Sequence, residues 1–376
     1  MNSKELNIFR KSCRKFLEQE AKPLLTKWEN DGFVSRDFWI RMGKEGLLGI
    51  SVPQLWGGHG KEDYNFSSVL TEELIRADMV APVIIAHNDV ITSYIYAHGT
   101  DKQRERWLPK LCRGELIAAI AITEPNGGSD SSDLETTADK YGNHYIVNGK
   151  KSFITNGFNA DLILTAVKTS KSQRGRETSL LIIENNTKGF TQEKPLKKLG
   201  WHASDTANLH FSNCHVPVDN LIGNESMGGF YFIGGMPRER LSISTVAVST
   251  SEIIIEKTLE WVKNRKAFGQ PIGSFQHNRF RLAELDTEVK IARIYLNDAI
   301  DKFNKNELSV TDAARLKVWT TELQVKVADQ CMQLYGGTGY LRDSFIGKMW
   351  VNSRVQTIYG GTSEVLKEFI SKSLGL

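Results

Sequence analysis

Cysteine is scarce in this 376-residue sequence: Cys13, Cys112, Cys214 and Cys331 stand far apart, with no CxxC pair among them. That spacing argues against a disulfide framework or a thiolate zinc site and makes a reducing compartment the expectation. The eight histidines, at positions 59, 87, 98, 144, 202, 210, 215 and 277, are scattered too. None has metal-ligand spacing or sits in a nucleophile motif, so no metal is expected. No GxGxxG follows a strand pattern and no P-loop occurs, so a dinucleotide, if bound, needs another grip. No apolar run approaches the ~18 residues of a membrane helix. The first residues, MNSKELNIFRKSCRKFLEQE, carry charges throughout and lack the apolar stretch of a secretory signal. A soluble, cytoplasmic protein without membrane contact is expected. Charge of one sign is lacking as well: 48 Lys and Arg against 44 Asp and Glu leave a net +4 spread along the chain. Nucleic acid is therefore not an expected partner, while a mild cationic excess suits an anionic cofactor or substrate.

What is present falls into three textures. From Ser3 to about Gly114 apolar residues such as Ile8, Phe9, Phe16 and Leu17 recur at helical steps, interrupted by the loop "GISVPQLWGGHGKEDYN". Thr100 in "GTDKQRERWLPKLCRGE" is a candidate N-cap. From about Leu116 to Gly223 short β-type runs alternate with turn residues, and Asn148-Gly149 in "HYIVNGKKSFITNG" predicts a hairpin. From about Met227 the helical period returns, with Pro237 expected in a first helical turn and a four-helix bundle as the packing solution. The domains read as 1–117, helical; 118–225, β; and 226–376, a helical bundle.

Several stretches could carry chemistry. In "AIAITEPNGGSDSSDLETTA" the Gly127-Gly128-Ser129-Asp130 segment can offer N–H groups and a hydroxyl to a pyrophosphate or carbonyl oxygen, although such a segment alone is ordinarily just a turn. "RKAFGQPIGSFQ" supplies Arg265, Phe268 and Gln276, a diphosphate donor and an apolar platform, or simply a helix end and a core aromatic. "QLYGGTGYL" sets Gln333 before Gly336 and Gly337, where a backbone can closely approach a ligand or a helix can end.

Singly these are weak, but seven stretches in one order span the chain: "GTDKQRERWLPKLCRGE", "ITEPNGGSD", "FITNG", "KLGWHASDTANLHFSNCHVP", "RKAFGQPIGSFQ", "QLYGGTGYL" and "YGGTSE". Together they resemble the acyl-CoA dehydrogenase family, with Asn126 standing where the family usually has Gly. The resemblance implies a mainly α protein: an N-terminal helical domain, a central β-barrel-like domain and a C-terminal four-helix bundle, assembled as a homotetramer or homodimer. It implies FAD, held noncovalently between the β domain, the bundle and a neighbouring subunit. By position, Ile120, Ile122, Thr123, Gly128, Ser129, Phe153, Ile154 and Thr155 would line it from the β side. Arg265, Phe268, Gln276, Gln333, Gly336 and Gly337 would hold its adenosine diphosphate part, and Thr362 and Glu364 would lie against it near the C-terminus.

Removing hydrogen from Cα and Cβ of a thioester requires a base for the α-proton, a hydride acceptor, which the family finds in flavin N5, and fixed donors to the carbonyl oxygen. Most family members carry the catalytic glutamate at the position of Gly360; here glycine keeps the N–H that the family uses as an oxyanion donor and lacks only the carboxylate. In the long-chain and isovaleryl-CoA dehydrogenases the glutamate sits on the bundle helix in an "ER" pair, matched here by Glu239-Arg240 of "GGMPRERLSIST". The resemblance thus makes Glu239 the base, with Ser129, Arg240, Gly360 and Gly361 at the substrate. A solvent-facing glutamate in the first turn of a helix is the plain alternative. The implied activity is α,β-dehydrogenation of an acyl-CoA to the trans-2-enoyl thioester in fatty acid metabolism, with an electron-transfer flavoprotein or another acceptor taking the electrons. The rival readings are an enzyme acting on acyl or aminoacyl groups tethered to a carrier protein, an oxidase, and a flavin-binding protein without activity.

Overall fold

The computed structural model describes residues 3–130, 134–169 and 178–376. Two compact units divide the chain, Met1–Glu73 with Ala77–Met236, and Leu74–Arg76 with Pro237–Leu376.

The first unit begins with helices α1 (Ser3–Phe16), α2 (Leu25–Asp31), α3 (Arg36–Lys44), α4 (Asn65–Arg76, whose last turn groups with the second unit), α5 (Ala81–Ile85), α6 (Thr92–His98) and α7 (Asp101–Cys112). Thr100 caps α7 as expected: its hydroxyl accepts the Gln103 N–H at 3.3 Å, and Gln103 Oε1 accepts the Thr100 N–H at 2.8 Å, a reciprocal capping box.

Eight strands follow: β1 (Ala118–Ala121), β2 (Thr137–Tyr141), β3 (His144–Ile154), β4 (Leu162–Lys168), β5 (Thr178–Glu184), β6 (Phe190–Gln192), β7 (Ala207–Pro217) and β8 (Leu221–Ile222). They form one sheet in the order β6-β7-β3-β2-β4-β5-β8, with β1 parallel to β4. The apolar runs of β4, interrupted only by Thr165, and of β5 reflect burial on both faces. Leu162, Leu164, Leu180 and Ile182 pack with Trp107, Leu108 and Leu111 of α7, while Ile163, Val167, Leu181 and Ile183 pack with Tyr145, Val147 and Phe211 of the neighbouring strands.

Asn148-Gly149 is not a hairpin; it lies inside β3, which runs on to Ile154. The pair sits instead where the β3–β7 register shifts, and Asn148 Oδ1 accepts the N–H of Asn213, a residue at φ +51°, at 2.8 Å. A Cβ on Gly149 would lie 2.5 Å from Thr136 Oγ1, so glycine serves close strand approach here. The turn joining β2 and β3 is Gly142-Asn143, between the paired residues Tyr141 and His144, with Gly142 at φ +57°.

The second unit contains most of α8 (Gly228–Asn264), then α9 (Gln276–Asn304), α10 (Val310–Tyr335), α11 (Phe345–Arg354) and α12 (Ser363–Ser373). Pro237 was expected in a first helical turn, yet α8 starts at Gly228 and contains Pro237 in its interior. Proline removes one amide donor there, and the glycines at 228, 229, 234 and 235 are poor helix formers, so local propensity points to a later start than the chain takes. The residues at 242, 244, 245 and 251 on α8 are hydroxylic and buried; each satisfies its hydroxyl by donating to the carbonyl four residues back. Among the described residues no helix is long and apolar enough to cross a membrane.

Candidate active site

The turn at 358–362 connects α11, through one further tight helical turn, to α12. Gly360 and Gly361 take φ +64° and +89°, a region that disfavours any side chain. Thr362 caps α12, its hydroxyl accepting the Val365 N–H at 3.3 Å. Glu364 follows, exposed in the first turn, where a hydrogen bond from its own N–H, another from Thr362 and nearby cations lower its pKa. Among the described residues the Gly360 N–H has no acceptor.

Two residues of α8, one helical turn apart, face this glycine. A Cβ on Gly360 would lie 3.7 Å from Glu239 Oε1 and 2.3 Å from Cδ1 of Ile243. A side chain at 360 therefore has no room, and the carboxyl of Glu239 stands beside the volume that such a side chain would enter. Glu239 is not in a first helical turn, because α8 begins well before it. Its carboxyl accepts no hydrogen bond among the described residues and keeps partial exposure.

Burial raises the Glu239 pKa, opposed by the cations Arg240 and Lys317. Arg240 is buried; its Nη1 donates to the Val310 carbonyl at 3.1 Å and its guanidinium lies 5.7 Å from the centre of the Phe369 ring. It joins α8 to the start of α10 and to the middle of α12, beside Glu239. Tyr359 is held above its ordinary pKa by burial and then by the Glu239 charge, and its hydroxyl donates to the Gln356 side-chain carbonyl. Lys317 of α10, fully buried, donates from Nζ to the Gly361 carbonyl at 2.8 Å.

In the first unit, Ile120 lies on β1, and the chain beyond it is pinned against β3. Lys151 Nζ donates to the Ile122 carbonyl at 3.0 Å and to Glu124 Oε1 at 2.7 Å, and the Ser152 N–H donates to the Thr123 carbonyl at 2.9 Å. This brings Ile122 and Thr123 beside the stretch carrying Phe153, Ile154 and Thr155. Phe153 is 68% exposed at φ +58°, whereas the Ile154 side chain is in the core, leaving only its main chain for a ligand. The turn in this motif falls at Pro125-Asn126, closed by paired bonds between Glu124 and Gly127; Gly128 and Ser129 lie exposed beyond it. Asn126 donates to the Glu135 carboxylate at 3.0 Å.

At the far end of α8, Arg265, Phe268 and Gln276 are all exposed, Phe268 by 95% and at φ +51°. Trp261 stacks on Tyr335 at 4.7 Å and donates to the Leu334 carbonyl, which sets this end beside the end of α10 that carries Gln333, Gly336 and Gly337. Gly336 and Gly337 have nothing within 4 Å of a Cβ position, and Arg265 has no ion pair among the described residues. An uncommitted guanidinium, an uncovered aromatic face and open backbone suit a flat heterocycle on a diphosphate. Exposed Phe153 and the Ile122–Thr123 edge offer a second apolar surface for a ring.

The sequence reading missed three contributors: Ile243, Lys317 and the Lys151–Glu124 pair. Lys151 follows Tyr145, Val147 and Gly149 on the inward positions of β3, and Lys317 stands among Ala313, Ala314 and Leu316 on the buried face of α10. A lysine at a core-facing position of either period was the available signal.

Family models for the N-terminal, middle and C-terminal domains of acyl-CoA dehydrogenase match residues 3–115, 119–214 and 227–375. The chain is 39% identical over 374 residues to the long-chain specific acyl-CoA dehydrogenase, mitochondrial, of Mus musculus, a match covering 99% of this chain and 87% of that protein. The crystal structure of acyl-CoA dehydrogenase from Geobacillus kaustophilus is similar with a TM-score of 0.98 and 41% identity, over 100% of this chain and 99% of that one. A crystal structure of acyl-CoA dehydrogenase complexed with FAD, from Bacillus anthracis, is similar with a TM-score of 0.93 and 27% identity, over 99% of this chain and 68% of that one.

Proposed function

Because the chain belongs to the acyl-CoA dehydrogenase family, an FAD-dependent group of oxidoreductases, we propose that Glu239 is the base that removes the α-proton of its acyl-CoA substrate. The observation that carries this reading is the Glu239 carboxyl at 3.7 Å from the Cβ position of Gly360, on a turn whose own side chain is missing. When bound, the flavin supplies the acceptor for the β-hydrogen. The residues of this chain supply the rest. Ionised Glu239 takes the α-proton, and the electrons of that C–H bond move toward the thioester carbonyl. The free Gly360 N–H donates to the carbonyl oxygen as charge grows there, a donor fixed in place before the reaction begins. Burial, which raises the carboxyl pKa, makes Glu239 a stronger base than an exposed glutamate. Arg240 shapes the wall behind it.

Arg265, Phe268, Gln333 and the Gly336-Gly337 backbone would hold the adenosine diphosphate part of FAD, with Gln276, Thr362 and Glu364 nearby. Ile122, Thr123, Ser129 and Thr155 would meet the ring system. An electron-transfer flavoprotein as acceptor, a homotetramer or homodimer and a cytoplasmic location complete the reading. Four free, buried cysteines and a 34% identical acyl-CoA dehydrogenase from Bacillus subtilis support that location. The test is anaerobic bleaching of the flavin with a panel of straight-chain, branched and carrier-protein-linked thioesters. CoA thioesters should bleach it and the carrier-linked forms should not; failure with every CoA thioester overturns the reading.

A further inference from the structure

Lysine is almost never wholly buried unless it is paired, because removing an ammonium from water costs several kcal/mol. Lys317 is fully buried, yet among the described residues it forms no ion pair. Among the described residues its ammonium makes one hydrogen bond, the 2.8 Å donation to the carbonyl of Gly361, the residue after Gly360. For helix packing alone a methionine would serve at this place on α10 without the desolvation cost. What lysine adds is a donor to the turn and a positive charge among the groups of the site.

Taking the proposed roles of Glu239 and Gly360 as its basis, we propose that Lys317 is a positioning residue for the reaction: it tethers the turn that presents the Gly360 N–H, and its charge steadies the carboxylate of Glu239. The tether acts through a single peptide unit. Gly360 and Gly361 both have positive φ and no side chain to wedge them, so the turn has little holding it besides its ends and the bond from Nζ. The charge acts directly. Glu239 feels the cations Arg240, its neighbour on α8, and Lys317 from α10, while buried Tyr359 of the turn feels the Glu239 charge and donates its hydroxyl to Gln356. Lys317 in turn feels Arg240, Glu239, Glu322 and Glu364. Burial, reinforced by Arg240, brings the Lys317 pKa down to about 8, which leaves it cationic at neutral pH. Arg240 is already committed to the Val310 carbonyl and the Phe369 ring. Lys317 is a cation bonded to the turn itself.

The experiment uses the FAD-loaded enzyme and a 3-thiaacyl-CoA, which has an α-hydrogen to lose and no β-hydrogen to transfer. Loss of α-deuterium to solvent, followed by mass spectrometry across pH, reports the proton step alone. Lys317→Met should move the acid limb of that profile to higher pH by about one unit, since an opposite charge has been removed from beside a carboxylate. The rate on the plateau should also fall on the order of tenfold, because the oxyanion donor is displaced but not deleted. Lys317→Arg should restore the limb. Lys317→Gln, which retains a donor without a charge, should recover the plateau and keep the shifted limb, and it stands in if the methionine variant does not fold. A purely structural lysine would lower the yield of folded enzyme and leave the limb where it is, which would overturn the proposal, as would a wild-type limb and plateau in both neutral variants. Glu239→Gln run alongside separates the two levels. If it still exchanges the α-deuterium, the proposed base itself is wrong; if it does not and the neutral Lys317 variants behave as wild type, only the role of Lys317 fails.

Discussion

Replacing Gly360 with alanine loads two strains onto one position. At φ +64° an L-residue costs about 1–2 kcal/mol relative to glycine. The added Cβ would also meet Ile243 Cδ1 at 2.3 Å, and an overlap of that depth in packed surroundings costs about 1–3 kcal/mol more. The variant should therefore lose about 2–5 kcal/mol, seen as a fall of about 3–6 °C in the thermal unfolding midpoint of a chain this long. Ile243→Val removes the clashing methyl and alone should cost about 1 kcal/mol. The next neighbours of the Cβ are Glu239 Oε1 at 3.7 Å and Ile243 Cγ1 at 3.8 Å, both ordinary contacts. In the valine background, then, Gly360→Ala should cost only the backbone part, about 1–2 kcal/mol. The assay is a double-mutant cycle by differential scanning fluorimetry on the FAD-loaded enzyme. Additive costs, or a Gly360→Ala variant melting with the wild type, would refute the packing described around this turn.

Lys151→Met leaves the Glu124 carboxylate buried without its cation and should destabilise the first unit by about 3–5 kcal/mol; pairing it with Glu124→Gln should recover much of the loss. The same single variant should retain less flavin through gel filtration, since Lys151 also holds the Ile122 carbonyl. His87 is wholly buried, accepting the Ala118 N–H at Nδ1 and bonding the Leu111 carbonyl through Nε2, and burial pushes its pKa from 6.5 down to about 4. The unfolded chain binds a proton there before the folded one does, so this contribution to stability is complete above pH 6.5 and is lost as pH falls towards 4. Urea titrations of wild type and His87→Gln at pH 7 and pH 4 should show their stability difference narrowing by about 3 kcal/mol at the lower pH; a constant difference would contradict the neutral, buried assignment.

Much of this molecule can be read from its residues, and the failures have physical causes. The N-cap at Thr100 is a local device, so local rules find it. The doubly buried strands β4 and β5 announce themselves as short β-type runs rich in Leu, Ile and Val. Asn148-Gly149 misleads because the features that favour a tight turn also serve a strand irregularity, where Asn caps an amide and Gly admits a neighbouring strand. Pro237 misleads because tertiary packing can carry a helix through a proline that propensity would place at its start. The fit between Glu239 and Gly360 spans 121 positions of sequence and became visible only through resemblance; a glycine and a glutamate that far apart carry no periodic signal. Lys151 and Lys317 were legible in principle as charges at core-facing positions, but their partners, two backbone carbonyls and one carboxylate, are fixed only by the folded chain.

The most direct measurement is the rate of flavin reduction by a saturating acyl-CoA under anaerobic stopped flow, in wild type and Glu239→Gln. The variant should bind FAD with an unchanged visible spectrum and reduce it about 10²–10⁴-fold more slowly, the range a positioned base contributes. A Glu239→Gln enzyme that reduces its flavin at the wild-type rate would contradict the role proposed for Glu239.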